Sequence, residues 1–431
     1  MNKIKVLAIT RSPINSNDNL GSSLEKILGQ NTEIELSNIY LRSEKYNNDV
    51  CSQVYQIPEQ DLLKSLFTRK PVGSELKLSQ KIEKYDTNNK DEVRMYNFAK
   101  KVKLYSPWFV REILWSFGRW KNESFDLFLS NLNPDIVFFV SFNCWYPYKV
   151  LNYVEKKTKA TIVCYHVDDN YTFNHFSPSP FYWIYRSILR RYLKKTSHVA
   201  SVNYCISKKQ KEIYDSALGI DSLLLQKTAS FDAFVYKNEE SNPLRFVFTG
   251  NISSGRWKTL SLLGRAFDDI NGEKEIAFLE IYTQTRITSK MKAELSYQSI
   301  RKLEPAFPDD IQSLQNSADV LVHVESFSKR DINDVRLSFS TKIVDYVSRG
   351  RVILAIGPSD DASIQYFIDN RIGFVISKTN DIKNKLVEII ENKDLFKSIA
   401  FDTYEKGRIM HDSNIVSKGL INTMKQILAD K

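Results

Sequence analysis

Short apolar runs recur along the chain, and each is followed by a longer segment in which apolar residues have helical spacing. A first series of runs occupies residues 4–9, 136–140, 161–165, 199–206 and 223–225. After a polar stretch at 236–243, a second series occupies residues 244–249, 276–282, 320–324, 352–356 and 374–376. Unbroken apolar runs are typical of strands buried on both faces of a parallel sheet. Their alternation with helices predicts two doubly wound α/β domains joined near 236–243.

One helix and strand of the second series combine polar residues with a strongly apolar run. The stretch FSTKIVDYVSRGRVILAIGP predicts a helix that begins near Ser340 and Thr341 and leads into a buried strand. Helical spacing places Lys342 and Asp345 on one face, away from the apolar stripe. A helix start with small residues and a lysine suits a phosphate. The alternative is a capped surface helix with a salt bridge between charged residues of that face.

The loop after the first strand of the second series is rich in glycine and positive charge. Ligands of open α/β sheets bind outside the carboxyl ends of the strands, so this loop is a candidate site. In FTGNISSGRWKTLSLL, the glycines allow close backbone approach, and Arg256 and Lys258 have the charge to clamp two phosphates. Gly250 and Asn251 begin the loop. A solvated turn is the alternative interpretation.

Two loops of the first series carry candidate polar residues. Gly21 and Ser22 open a helix after the first strand, either as a flexible acceptor loop or as a plain strand–helix turn. The strand at 161–165 is followed by His166, Asp168 and Asp169. These residues could bind a metal, do acid–base chemistry or contact sugar hydroxyls. The alternative is that the histidine is structural. Because the sequence contains neither a D-x-D triplet nor H-x-x-x-H, we expect no committed metal site.

Composition narrows the class of protein. The chain has 431 residues, of which 42% are hydrophobic and 26% charged, so it is long enough for two globular domains. Its net charge of +10 is spread along the chain, which favours an anionic substrate or surface over nucleic acid. Four widely spaced cysteines, Cys51, Cys144, Cys164 and Cys205, are expected to be reduced. With no cleavable signal and no long apolar segment, a cytoplasmic protein is expected.

Two segments, 101–121 and 181–195, mix aromatic residues with arginine and lysine. This composition suits peripheral contact with an anionic membrane, such as the inner face of the plasma membrane, and would fit a lipid-linked acceptor. The alternative is a pair of helices whose aromatic residues face the core and whose basic residues face water.

Three stretches together resemble a known family. FVFTGNISSGRWKTL, ADVLVHVESF and SFSTKIVDYVSRGRVILAIGP are similar to the nucleotide-binding half of retaining glycosyltransferases of family four, the GT-B class that serves bacterial capsule and exopolysaccharide synthesis. The resemblance covers most of residues 195–410 and extends more loosely to CYHVDDNYT. It implies two Rossmann-like domains facing each other across a cleft. Residues 1–238 would bind the acceptor, 239–405 the nucleotide sugar, and 406–431 would form a helix packing back on the first domain.

The resemblance also implies residue roles. Arg256 and Lys258 would hold the diphosphate of the donor, and Asp345 its ribose. The helix start at Ser340, Thr341 and Lys342 would contact phosphate, and Gly250 and Asn251 would complete the donor site. His166 would contact the donor sugar, while Gly21, Ser22, Asp168 and Asp169 are the candidate acceptor residues.

The chain departs from the family pattern at one position. The family has two glutamates separated by seven residues, whereas here the second is Asp345 and the first is Leu337. Glu325, which follows the strand at 320–324, and Asp334 are candidates for the missing role. On its own, Glu325 could bind sugar or ribose hydroxyls, or be an ordinary exposed carboxylate.

The expected function is therefore transfer of a sugar, of the hexosyl type, from a nucleoside diphosphate sugar to a glycan or lipid-linked glycan. We expect retention of configuration, no metal, no cofactor and no nucleic-acid partner. Two alternatives are a sugar-nucleotide epimerase of the same shape and an inactive partner subunit, which Leu337 favours. A dehydrogenase is less favoured because the G-x-G-x-x-G fingerprint is missing.

Overall fold

The structure is a computed structural model that describes residues 3–14, 19–46, 49–76, 107–175, 177–237 and 240–430. The chain divides into two compact units. The first comprises Met1–Ile206, Lys211–Leu225 and Ser417–Lys431, and the second comprises Ser207–Gln210 and Gln226–Val416. The sequence-based boundaries at 238 and 405 both fall within the second unit.

Among the described residues, the first unit contains an eight-stranded sheet. Its strands are β1 (Ile4–Thr10), β2 (Ile34–Tyr40), β3 (Gln53–Gln56), β4 (Ser74–Glu75), β5 (Ile136–Ser141), β6 (Thr161–His166), β7 (Val202–Cys205) and β8 (Leu223–Leu224). They lie in the order β4-β3-β2-β1-β5-β6-β7-β8, and all neighbours are parallel except β3 and β4. The order reverses between β1 and β5, which makes that gap the switch point of this sheet.

Helices follow the strands of this sheet. They are α1 (Asn19–Leu24, continued by a π-turn at Glu25–Gly29), α2 (Glu59–Thr68), α3 (Pro107–Phe117), α4 (Glu123–Leu132), α5 (Tyr146–Lys157), α6 (Pro180–Val199) and α7 (Lys208–Leu218). Local chemistry sets several of their ends: Asn122 caps α4 by accepting from the Phe125 amide at 3.1 Å, and Asn133 ends it in the left-handed conformation. The central strands β5 and β6 are buried along their whole length, as the apolar runs at 136–140 and 162–165 predict.

The described part of the second unit contains a six-stranded, fully parallel sheet. Its strands are β9 (Leu244–Thr249), β10 (Ala277–Tyr282), β11 (Ile300–Glu304), β12 (Val320–Val324), β13 (Val352–Ile356) and β14 (Phe374–Ile376). Their order is β11-β10-β9-β12-β13-β14, so the switch point lies between β9 and β12. The loops that follow the carboxyl ends of β9 and β12 are the ones that the sequence predicts to bind a ligand.

Helices connect the strands of the second unit. They are α8 (Arg256–Asn271), α9 (Ser289–Glu294), α10 (Pro308–Asn316), α11 (Lys329–Val335), α12 (Lys342–Val347), α13 (Ala362–Asn370), α14 (Ile382–Glu391) and α15 (Phe396–His411). The core is aliphatic and aromatic: Leu260, Leu263 and Phe267 of α8 pack against strands β9, β10 and β12. A last helix, α16 (Ser413–Ala429), leads back into the first unit, where Lys425 pairs with Glu33 at 2.5 Å.

The prediction of two parallel α/β domains is confirmed. All four cysteines are buried and unpaired, as expected. Within the described residues, none of the helices combines the length and apolar character needed to span a bilayer.

Candidate functional site

The polar residues of the second unit converge where β9 and β12 end. Gly250 directly follows β9, Glu325 directly follows β12, and Lys342 begins α12. Arg256 begins α8, which starts after the Gly255 turn with a φ of +76°. Because β9 and β12 are neighbours at the switch point, these side chains share one edge of the sheet.

Lys342 and Gly250 are in close contact. A Cβ atom built on Gly250 would collide with the ammonium group of Lys342 and crowd the two methylenes before it. The lysine therefore fills the space that glycine leaves open at the end of β9. A side chain at position 250 would have to displace this lysine and to adopt the φ of +153° that favours glycine.

The Lys342 side chain is partly buried, and its ammonium group forms no salt bridge with the described residues. Burial, followed by the positive charge of Arg256, lowers the pKa of Lys342 to about 8, although Asp345 and Glu325 oppose the shift. Across the described ranges, no acceptor lies within hydrogen-bond distance of its Nζ. Partial burial makes the charged form of this lysine less favourable, and an anion beside it would favour that form again. Lys342 is thus placed to bind an anionic ligand.

Arg256 makes a two-point contact with Glu325. Its Nε lies 2.9 Å from one carboxylate oxygen and its Nη2 3.0 Å from the other. Burial alone would raise the pKa of Glu325, but His323, 3.5 Å away, and Arg256 together hold that pKa below its ordinary value. Glu325 is therefore a buried carboxylate rather than an exposed loop residue. Nη1 of Arg256 makes no hydrogen bond to the described residues and remains available to a ligand.

Lys258 is less constrained. Its ammonium lies 3.3 Å from Asp331, and its side chain is half exposed. Asp331 also lies against Gly255, where a Cβ atom would collide with its carboxylate. An exposed pair of this kind is weak and easily exchanged for a ligand. Both predicted phosphate-binding cations thus have carboxylate partners.

Asp345 is held by a residue that the sequence did not reveal. Nζ of Lys227 lies 2.7 and 2.8 Å from the two oxygens of the Asp345 carboxylate. The alternative of a salt bridge within α12 is therefore wrong for this carboxylate, because its partner comes from elsewhere. Lys227 is largely buried and precedes the second series of strands by seventeen positions, counting from residue 244. No local sequence signal connects two residues so far apart.

The remaining donor candidates lie nearby but make other bonds. The Ser340 amide donates to the Ser363 hydroxyl at 3.1 Å, and neither Ser340 nor Thr341 caps α12 with its side chain. The Asn251 side chain accepts from the Ser253 amide at 2.6 Å. Leu337 is buried, so an apolar side chain occupies the position of the family's first glutamate. The side chain of Asp334 lies outside the described part of the structure.

In the first unit, His166 is enclosed. Its ring nitrogens lie 3.1 Å from the Ser141 hydroxyl and 3.2 Å from the Asn203 amide oxygen. Burial lowers the pKa of His166 to about 4, so the ring is neutral at physiological pH. With both nitrogens occupied, this geometry favours the structural alternative for His166.

Asp169 is also committed to internal bonds. It accepts from the Thr172 amide at 2.8 Å and pairs with buried Arg186 at 3.6 Å. Asp168 is exposed, and Gly21 and Ser22 lie in the short helix α1. The acceptor roles of these four residues stay predictions. In the described residues, no group of three or more His, Cys, Asp or Glu side chains could hold a metal ion.

No protein-family profile matches the sequence, and no curated protein sequence is significantly similar to it. Solved structures are similar in three dimensions. Alr3699/HepE of Anabaena, in complex with UDP, has 12% identity and a TM-score of 0.59, over 98% of this chain and 100% of that one. Sucrose-phosphate synthase of Thermosynechococcus elongatus has 10% identity and a TM-score of 0.61, with 100% of both chains covered. A glycosyltransferase of Rickettsia africae has 13% identity and a TM-score of 0.59, again over 100% of both.

At these identities the similarity establishes the fold alone. Each of these matches spans essentially the whole chain, and the topology of each sheet is that of a Rossmann-like domain. The protein therefore has the GT-B fold, with two Rossmann-like α/β domains.

Proposed function

We propose that the protein is a glycosyltransferase that binds a nucleoside diphosphate sugar in its second unit and an acceptor in its first. The observation that carries the proposal is the partly buried ammonium group of Lys342, which lies beside Gly250 at the switch point of the second sheet and forms no hydrogen bond with the described residues. The similar Anabaena protein was solved with UDP and with UDP-glucose, which supports a uridine nucleotide as the first candidate.

The diphosphate would occupy the space between Lys342 and Arg256. Lys342 offers a partly buried ammonium group, and Arg256 offers Nη1 while its other donors remain on Glu325. Both charges would stabilise the negative charge that grows on the leaving diphosphate. We propose that these two side chains, with Lys258 displaced from Asp331, do the work that a metal ion does in other transferases.

Asp345 would accept hydrogen bonds from the ribose hydroxyls, as the resemblance implies. Its carboxylate is fixed by Lys227 at two points, which prevents it from turning toward the neighbouring cations. Lys227 is therefore a proposed positioning residue. Glu325, fixed by Arg256 and His323, is less able to serve the transferred sugar and more able to orient Arg256.

The finer features of the proposal rest on the resemblance. They are retention of configuration, a hexosyl donor, and a glycan or lipid-linked glycan acceptor of the capsule or exopolysaccharide type. We propose no general base, because the departing phosphate would take the proton of the acceptor.

The test is a transfer assay with a panel of nucleotide sugars, with and without glycan and lipid-linked acceptors, followed by mass analysis of the products. The proposal predicts a glycosylated acceptor with wild-type protein and Lys393→Met, an exposed lysine of the same unit, but none with Lys342→Met. A changed sugar nucleotide without acceptor would instead establish an epimerase. Nucleotide binding without turnover across the panel would support an inactive partner subunit, the alternative that buried Leu337 favours.

A further inference from the structure

Helix α3 exposes an apolar stripe. Val110, Ile113 and Phe117 are spaced so that they lie on one face of the helix, and all three are exposed, Phe117 by 71%. The opposite face is firmly attached: Glu112 accepts from the Trp145 amide at 2.8 Å and from the Tyr185 hydroxyl at 3.1 Å. The orientation of α3 is therefore fixed, and among the described residues of the first unit none covers its stripe.

The end of α2 continues this apolar surface. Leu66 and Phe67 are exposed there, Phe67 by 82%. The ends of the two helices adjoin, because the Arg119 amide donates to the Ser65 hydroxyl at 3.3 Å and a Cβ at Gly118 would lie 2.7 Å from Leu62. We define the apolar face as the exposed residues Leu66, Phe67, Val110, Ile113 and Phe117.

The border of the apolar face is positively charged. Exposed Arg69 and Lys70 follow α2, and exposed Arg119 and Lys121 follow α3. No acidic residue occurs in the sequence at 62–74 or at 113–122. On the same helices, Glu59 is paired with Arg111 at 2.5 Å and Asp61 with Lys64 at 3.4 Å. Four exposed cations, two after each helix, thus adjoin the apolar face, and none of them forms a salt bridge with the described residues.

We propose that the apolar face docks on an anionic lipid bilayer. Aromatic and aliphatic side chains enter the interface between headgroups and acyl chains, and flanking arginine and lysine bind anionic headgroups. Isolated exposed apolar residues need no explanation, but a contiguous group bordered by one sign of charge indicates a partner. The complementary charge favours anionic lipid as that partner. This inference goes beyond the proposed sugar transfer, since it concerns a surface that contains none of the donor-site residues.

The structure changes the expectation for the second aromatic and basic segment, 181–195. Two of its arginines point inward: Arg186 donates to the Asp169 and Thr172 carbonyls at 2.8 Å, and Arg190 donates to the Tyr171 carbonyl at 2.6 Å. They hold the loop after β6 instead of facing solvent. Membrane contact through this segment stays a prediction, and the apolar face on α2 and α3 carries the proposal.

The test is flotation of the purified chain, without nucleotide, with vesicles of phosphatidylcholine alone or mixed with phosphatidylglycerol. We expect binding only to the mixed vesicles, and weaker binding as salt is raised. Replacing Arg69 and Lys70 by glutamine should lower the partition coefficient about fivefold per charge. Phe67→Ser combined with Phe117→Ser should abolish flotation.

Controls distinguish loss of the lipid-binding surface from unfolding of the protein. Ile409→Ser removes an exposed apolar side chain of the second unit, and it should float like the wild type. Circular dichroism should be the same for all variants, because the replaced side chains are exposed. Flotation that does not depend on anionic lipid, or that survives the double phenylalanine replacement, would overturn the proposal. A dimer that the same replacement dissociates would instead assign the face to a second copy. A negative flotation result would not affect nucleotide binding. It is therefore distinguishable from failure of the proposed function.

Discussion

Replacing Lys342 by methionine should make the protein more stable and less able to bind nucleotide. Burial lowers the pKa of Lys342 from 10.5 to about 8. At about 1.4 kcal/mol per pKa unit, the folded protein pays about 3 kcal/mol to keep this ammonium charged. Methionine has a similar length and no charge, so it should remove that penalty at neutral pH.

The sign of the pH dependence follows from the same shift. Because the folded-state pKa is below the unfolded-state value, the unfolded chain holds more protons between pH 8 and 10.5. The destabilisation by Lys342 is complete below pH 8 and disappears as pH rises toward 10.5. The stability gain of Lys342→Met should therefore be largest at pH 7, up to about 3 kcal/mol, and vanish near pH 10.5.

The same replacement should weaken nucleotide binding. A charged hydrogen bond to phosphate contributes about 1.5–3 kcal/mol, so the dissociation constant should rise roughly tenfold to a hundredfold or more. Urea unfolding at several pH values measures the stability, and calorimetric titration measures the affinity. Lys393→Met, at an exposed site, should change neither. A Lys342→Met protein that is less stable at pH 7, or that binds nucleotide as well as the wild type, would refute the reasoning.

Three further predictions concern the neighbouring charges. Lys342→Arg should keep nucleotide affinity constant from pH 7 to 9.5, whereas wild-type affinity should fall above pH 8 as the lysine deprotonates; equal pH profiles would contradict this. Arg256→Ala should destabilise the protein by about 3–5 kcal/mol in urea unfolding, because it strands a buried carboxylate, while Lys258→Ala should cost less than about 1 kcal/mol. Equal losses would be inconsistent with this assignment. Lys227→Ala and Asp345→Ala should each weaken UDP binding but not diphosphate binding, and their effects should be non-additive in a double-mutant cycle. Additive effects would show that the two residues act independently, which would contradict the proposed positioning role of Lys227.

The sequence predicted the parts of the fold that depend on apolar patterning. Strand β13 is apolar throughout and β5 is apolar up to Ser141, so their burial and their parallel arrangement followed directly. It missed β2, β3, β4 and β11. In β2, buried Ser37 and Asn38 interrupt the apolar run, and β11 lies at a sheet edge with mostly exposed, charged residues.

The candidate site was predictable in composition but not in pairing. Strand ends and glycines located Gly250, Arg256 and Lys342, because ligand loops of α/β sheets follow the strands. The contact between Lys227 and Asp345 spans 118 residues and has no local signal. Burial of His166 was equally hidden, since a histidine at a strand end has the same sequence pattern whether it faces ligand or core.

The most direct test of the donor site is calorimetric titration of UDP, GDP and their sugar conjugates into the wild type and into Lys342→Met. The account predicts micromolar binding of one nucleotide to the wild type, and a loss of at least tenfold in the variant. A folded wild-type protein that binds none of these nucleotides, or a variant that binds them equally well, would contradict it.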